Sequence, residues 1–177
     1  MVLWQSSELY GSIRQMDDTV VFDEKRLGAI SKSLTSVLFS AFPHIIHNAN
    51  YAVEDEEDGK SIVIHIVSPT GDACRNLRIW VCNGEPSLEF GPSHIHEDAD
   101  TEGYGRIVET VRNIFSDRLV FAAEVGGLNP EYAFWLDLSK PDALADELTD
   151  TYSSGHLSIK SWTGLADREV RLSDISI

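Results

Sequence analysis

Leu88-Glu89-Phe90-Gly91-Pro92-Ser93-His94-Ile95-His96-Glu97-Asp98-Ala99-Asp100-Thr101 is the stretch on which the fold turns. An apolar strand runs up to Phe90. Gly91-Pro92 stops it. Two histidines follow, one residue apart, and then an acidic knot. Beyond the knot Tyr104, Ile107, Val108, Val111, Ile114 and Phe115 recur at helical spacing. The sequence therefore predicts a strand, a break and an amphipathic helix. Asp100 or Thr101 would cap that helix, with neighbouring carboxylates favouring its positive end.

Upstream, the pattern predicts four strands, at 45–53, 61–67, 77–82 and 87–90. Five adjacent carboxylates, Glu54 to Asp58, separate the first two. They repel one another and must be solvated, so they form a turn. Ile62, Ile64 and Ile66 share one face while Val63, His65 and Val67 share the other, which predicts a strand covered on both sides. Trp80, between Ile79 and Val81, is expected in the core. Asn83-Gly84 is a hairpin signal, and Pro86 predicts a loop longer than two residues. Before these strands, Leu27, Ile30, Leu34, Val37, Leu38, Ala41 and Phe42 predict a helix capped by Asp23 and stopped by Pro43. Gly28 would lie inside that helix and weaken it by about 1 kcal/mol against Ala. Residues 2–4 and 19–22 read as short strands around Gly11.

Downstream, strands are expected at 118–125, 132–136, 156–162 and 168–172. A loop at 126–130 and a short helix from Lys140 to Leu148 fall between them. The sum is α+β: a single domain, with an antiparallel sheet and two main helices packed on it.

Charge is the strongest global signal. Fourteen Lys and Arg against 29 Asp and Glu leave a net charge of −15. Such a surface repels nucleic acid and anionic membrane, whose phosphates need Lys and Arg. It attracts a cationic protein and speeds the encounter. Cys74 and Cys82 are the only cysteines among 177 residues, too few for a disulfide framework. The N-terminal residues lack a basic-then-apolar signal pattern, and no apolar run approaches the roughly 20 residues that span a bilayer. A cytoplasmic protein is expected.

His94-x-His96 is the one arrangement with metal-ligand character. Residues two apart in an extended segment point the same way, so both imidazoles can reach one ion, with Glu102 as a third ligand. The spacing departs from a cupin signature. Gly91 is too close to His94, Glu102 is too far from His96, and a helix stands where a cupin needs a strand. The plainer reading has the carboxylates capping the helix and the histidines bonding at a strand end. His44, His47, His65 and His156 show no ligand spacing and are assigned structural or surface roles. No Gly-x-Ser-x-Gly elbow occurs, and no phosphate-cradling glycine loop with its lysine. Cys74 has Arg75 beside it but no catalytic context. No cofactor is expected, and the reading favours a binding protein over an enzyme.

The chain resembles the immunity proteins of bacterial polymorphic-toxin and contact-dependent inhibition systems. The residues that carry the likeness are Phe90-Gly91-Pro92-Ser93-His94-Ile95-His96 and the helix after them. Several immunity families have a similar aromatic-glycine, then His-x-His, before a helix. The resemblance implies a small cytoplasmic protein that binds and blocks one cognate toxin domain, often a nuclease with a basic active site. Glu54, Asp55, Glu56, Glu57 and Asp58, with Glu97, Asp98 and Asp100, are the expected binding face for that basic surface. The alternative is a metal-dependent hydrolase or dioxygenase using His94 and His96.

Overall fold

A computed structural model describes residues 27–56, 59–124, 133–140 and 155–171. Helix α1 (Ala29–Ala41) turns Leu34 and Leu38 inward. Ser31 and Thr35 are buried on the same face, and both are satisfied. Ser31 Oγ accepts the Ile62 N–H at 3.2 Å, and Thr35 Oγ1 donates to the Ser31 carbonyl at 2.9 Å. The expected cap, Asp23, lies outside the described residues. Gly28 is the N-cap and does not lie inside the helix. The reason is long-range: the Gly28 N–H donates to the Lys60 carbonyl at 2.9 Å and Leu27 bridges Lys60, which holds this segment extended. Pro43 follows the helix end, as expected.

A second correction falls at Ile45. The predicted strand begins there, but Ile45–Asn48 is a short helix, α2. Ile45 is fully buried, and its carbonyl accepts the Tyr51 hydroxyl at 2.6 Å. The strand starts only at Ala49.

Five strands form an antiparallel meander: β1 (Ala49–Glu56), β2 (Gly59–Ile66), β3 (Leu77–Cys82), β4 (Glu85–Phe90) and β5 (Ser93–His96). Ile64, Ile79, Leu88 and Ile95 stand in one cross-strand row, and Ile66, Leu77 and Phe90 in the next. These rows face α1 and α3 (Thr101–Phe115) and form the main core with Leu34, Leu38, Ile107, Val111 and Ile114. The opposite face of β2 is only partly covered. Val63 is buried, but His65 is exposed and Val67 is 52% exposed. Trp80 is on that same outer face and half-buried, outside the main core.

The β3–β4 turn is shorter than Pro86 predicts. Cys82 pairs with Glu85 around Asn83 and Gly84, both at positive φ (51° and 80°). That is the two-residue hairpin geometry. The closing pair exchanges the hydrogen bonds, so the missing N–H of Pro86 faces away from β3. Gly91-Pro92 makes the next tight turn, from Phe90 to Ser93. Gly91 has φ 64°, and a Cβ there would stand 2.6 Å from the Phe121 ring.

The remaining strands form a second antiparallel sheet in the order β7-β6-β8-β9: β6 (Leu119–Glu124), β7 (Ala133–Asp137), β8 (His156–Lys160) and β9 (Arg168–Arg171). Phe121 meets Phe90 edge-on at 5.2 Å, and Trp162 lies 5.1 Å from Phe115. The Trp135 indole donates to the Phe90 carbonyl at 3.0 Å. The α+β class with antiparallel sheets is as expected, with two sheets in place of one. The expected loop at 126–130, the helix from Lys140 and the strands of residues 1–22 fall wholly or largely outside the described residues.

Candidate functional site

The meander decides which acids meet. β1 ends, β2 begins, β3 turns into β4 and β5 ends at one end of the sheet, and α3 starts there. That end therefore holds Glu54, Asp55 and Glu56 on β1, and Glu97, Asp98 and Asp100 after β5. Strands spaced about 4.8 Å apart put its two edges roughly 19 Å from each other. Glu54 is exposed opposite Ser61, and Asp55 is paired in register with Lys60. Glu57 and Asp58 lie outside the described residues. Glu85, not singled out in the sequence, joins the group, because the tight hairpin sets it at the same end, exposed.

Three of the expected acids also hold the local structure. Glu97 accepts from Arg106 Nε at 2.5 Å and its side chain is only 16% exposed. Asp100 caps α3, accepting the Gly103 N–H at 2.7 Å. Asp98 presses its carbonyl against Gly103, where a Cβ would stand 2.0 Å from that oxygen. Their charges still sit at the surface, but Glu97 is partly neutralised by Arg106.

The outer face of the same sheet is organised in two rows. One runs Asn50, His65, Arg78, Glu89, His94, and the other Ala52, Val63, Trp80, Ser87, His96. The Arg78 guanidinium lies 4.7 Å over the Trp80 ring, and the buried Arg78 Nε has no hydrogen-bond partner among the described residues. Desolvation, then the Arg78 charge opposite, holds the His65 imidazole below its ordinary value against the pull of Glu89 and Glu54. His94 and His96 do point the same way, with ring centroids 5.0 Å apart. His96 Nδ1 is 2.7 Å from Ser87 Oγ, and its ring is edge-on to Trp80 at 6.3 Å.

This chemistry is limited. Among the described residues no group of three or more His, Cys, Asp and Glu stands close enough to hold a metal. Glu102 lies in the first turn of α3, 86% exposed and 3.9 Å from Arg106. The Ser87–His96 contact resembles a nucleophile with its base, but Ser87 is fully buried and bonds the Glu85 carbonyl at 3.2 Å. A nucleophile must be reached by its substrate.

The fold and this surface define an α+β protein with a carboxylate-rich sheet end beside an aromatic and histidine-bearing outer face. Comparison with protein-family models, curated proteins and solved structures gives no match. No helix among the described residues is long and apolar enough to cross a membrane.

Proposed function

We propose that the chain is an immunity-type binding protein of the bacterial cytoplasm. It holds a cognate toxin domain by that domain's basic surface and covers its active site. The observation that carries this reading is the gathering of Glu54, Asp55, Glu56, Glu85, Glu97, Asp98 and Asp100 from three separate segments at one sheet end. In a chain of net charge −15, this is where carboxylates can stand in for the phosphates that a basic groove otherwise binds. Glu97 and Asp100 are held by Arg106 and by the start of α3, so their positions are set before a partner arrives.

Co-purification with the product of the adjoining gene tests the reading. Replacing Glu54, Asp55, Glu56, Glu57 and Asp58 with lysine is expected to weaken that complex by at least about a hundredfold. An unchanged affinity would count against it. The alternative, a metal-dependent hydrolase or dioxygenase, rests on the His94 and His96 imidazoles, which share one side of β5 with ring centroids 5.0 Å apart. It requires stoichiometric zinc, manganese or iron in the purified protein, and metal analysis separates the two.

A further inference from the structure

Both main helices pack on the inner face of the five-stranded sheet, and among the described residues no helix lies across the outer one. The centre of that outer face is not an ordinary solvated strand surface. Trp80 sits on the third of five strands, half-buried, with the Arg78 guanidinium over its ring and His96 against it. These contacts hold the indole, so it loses little freedom when something covers it. Ser87 stands directly opposite Trp80 on β4, which places Glu85 and Glu89 at the two diagonal positions. Glu54 on β1 stands on the same face, so the described residues place Glu54, Glu85 and Glu89 there beside the Arg78 guanidinium. Glu54 and Glu85 belong to the acidic sheet end as well, so the two surfaces are continuous.

We propose that this outer face, centred on Trp80, is the apolar anchor of the docking surface, and that its occupant is a lysine- and arginine-bearing surface of the toxin domain. The inference rests on the reading of a basic partner given above. Binding energy concentrates on tryptophan and arginine near the centre of an interface, while charges at the margin steer and select. Here the sheet end supplies the steering, and the held indole supplies area that leaves water. A phosphate-bearing surface, nucleic acid or anionic membrane, would meet the same carboxylates and be repelled.

The test is a nuclear magnetic resonance titration of the isotope-labelled chain with decalysine in about 150 mM salt. The Trp80 indole N–H and the amides of Glu85 and Glu89 are expected to shift together. Trp80→Ala should weaken decalysine binding about tenfold with an unchanged circular dichroism spectrum. The double variant Glu85→Gln, Glu89→Gln, which leaves the indole in place, should weaken it about threefold. Shifts confined to residues 54–56 and 97–100, with Trp80 silent, would overturn this inference and leave the basic-partner reading standing. No shift anywhere would overturn both.

Discussion

A guanidinium that is 7% exposed needs an acceptor on every side, and Arg75 has them. Its Nη1 donates to the Ser161 carbonyl at 3.0 Å and to Asp167 Oδ1 at 2.8 Å. Nη2 donates to Asp167 Oδ2 at 2.6 Å, and Nε to Asp72 at 3.0 Å. One side chain thus ties the β2–β3 connection to the loop between β8 and β9. Truncating one member of such a pair strands the other charge. Arg75→Met is expected to cost about 2–3 kcal/mol in urea unfolding, toward the low end because Asp167 keeps some water. The same network sets an acid limit. Burial works against the charge on Asp167, but hydrogen bonds from Arg75 and the Ser161 N–H outweigh it and hold the carboxyl below its ordinary value. Asp72 is lowered as well, first by its hydrogen bond from Arg75. A carboxyl depressed on folding stabilises the chain above its unfolded value, about 3.9, and that contribution is lost as pH falls through the folded value. Stability should therefore drop below about pH 4, and less steeply in Arg75→Met. A midpoint equally acid-sensitive in the variant would remove the network from the explanation. None of this was legible in the sequence, where Arg75 reads only as a neighbour of Cys74. Its main partner is 92 residues away, and periodicity carries no information at that range.

At the scale of elements, legibility follows locality. Helix α3 was readable because its apolar stripe lies within its own span and its cap, Asp100, is the residue just before it. The β3–β4 hairpin was readable from Asn83-Gly84, though Pro86 pointed to a longer loop because its orientation depends on strand pairing. The start of α1 was misplaced because the Gly28 backbone is committed to Lys60, a strand partner that helical spacing cannot reveal. At Ile45 an apolar run that fits a strand is instead one turn of helix, fixed by burial and by Tyr51. Two substitutions test the junction before α3. Asp100→Ala removes the cap and is expected to cost about 1 kcal/mol. Gly103→Ala is expected to cost more, about 2–3 kcal/mol, because the new methyl would meet the Asp98 carbonyl, and backbone cannot turn aside as a side chain can. If both variants unfold at the same urea concentration, the close approach at Gly103 does not have the weight given to it here.

Over the whole molecule, charge dominates. A net charge of −15 on 177 residues repels itself. The free chain should melt at a higher temperature as salt rises, since screening relieves that repulsion. A melting temperature that falls with added salt would mean that exposed ion pairs such as Arg112–Glu109 outweigh it. The acidic runs themselves were legible, because composition and adjacency are written in the sequence. Their convergence was not, since it follows from strand order and register, and neither was the surface around Trp80, which alternation with Ile79 and Val81 assigned to the core. The central claim is that this convergence is a binding surface for a basic protein. The most direct measurement is the dissociation constant of the complex with the adjoining gene's product, by calorimetry, from about 50 to about 500 mM salt. A complex that weakens at least about tenfold across that range is predicted. No complex, or a dissociation constant that does not move, would contradict it.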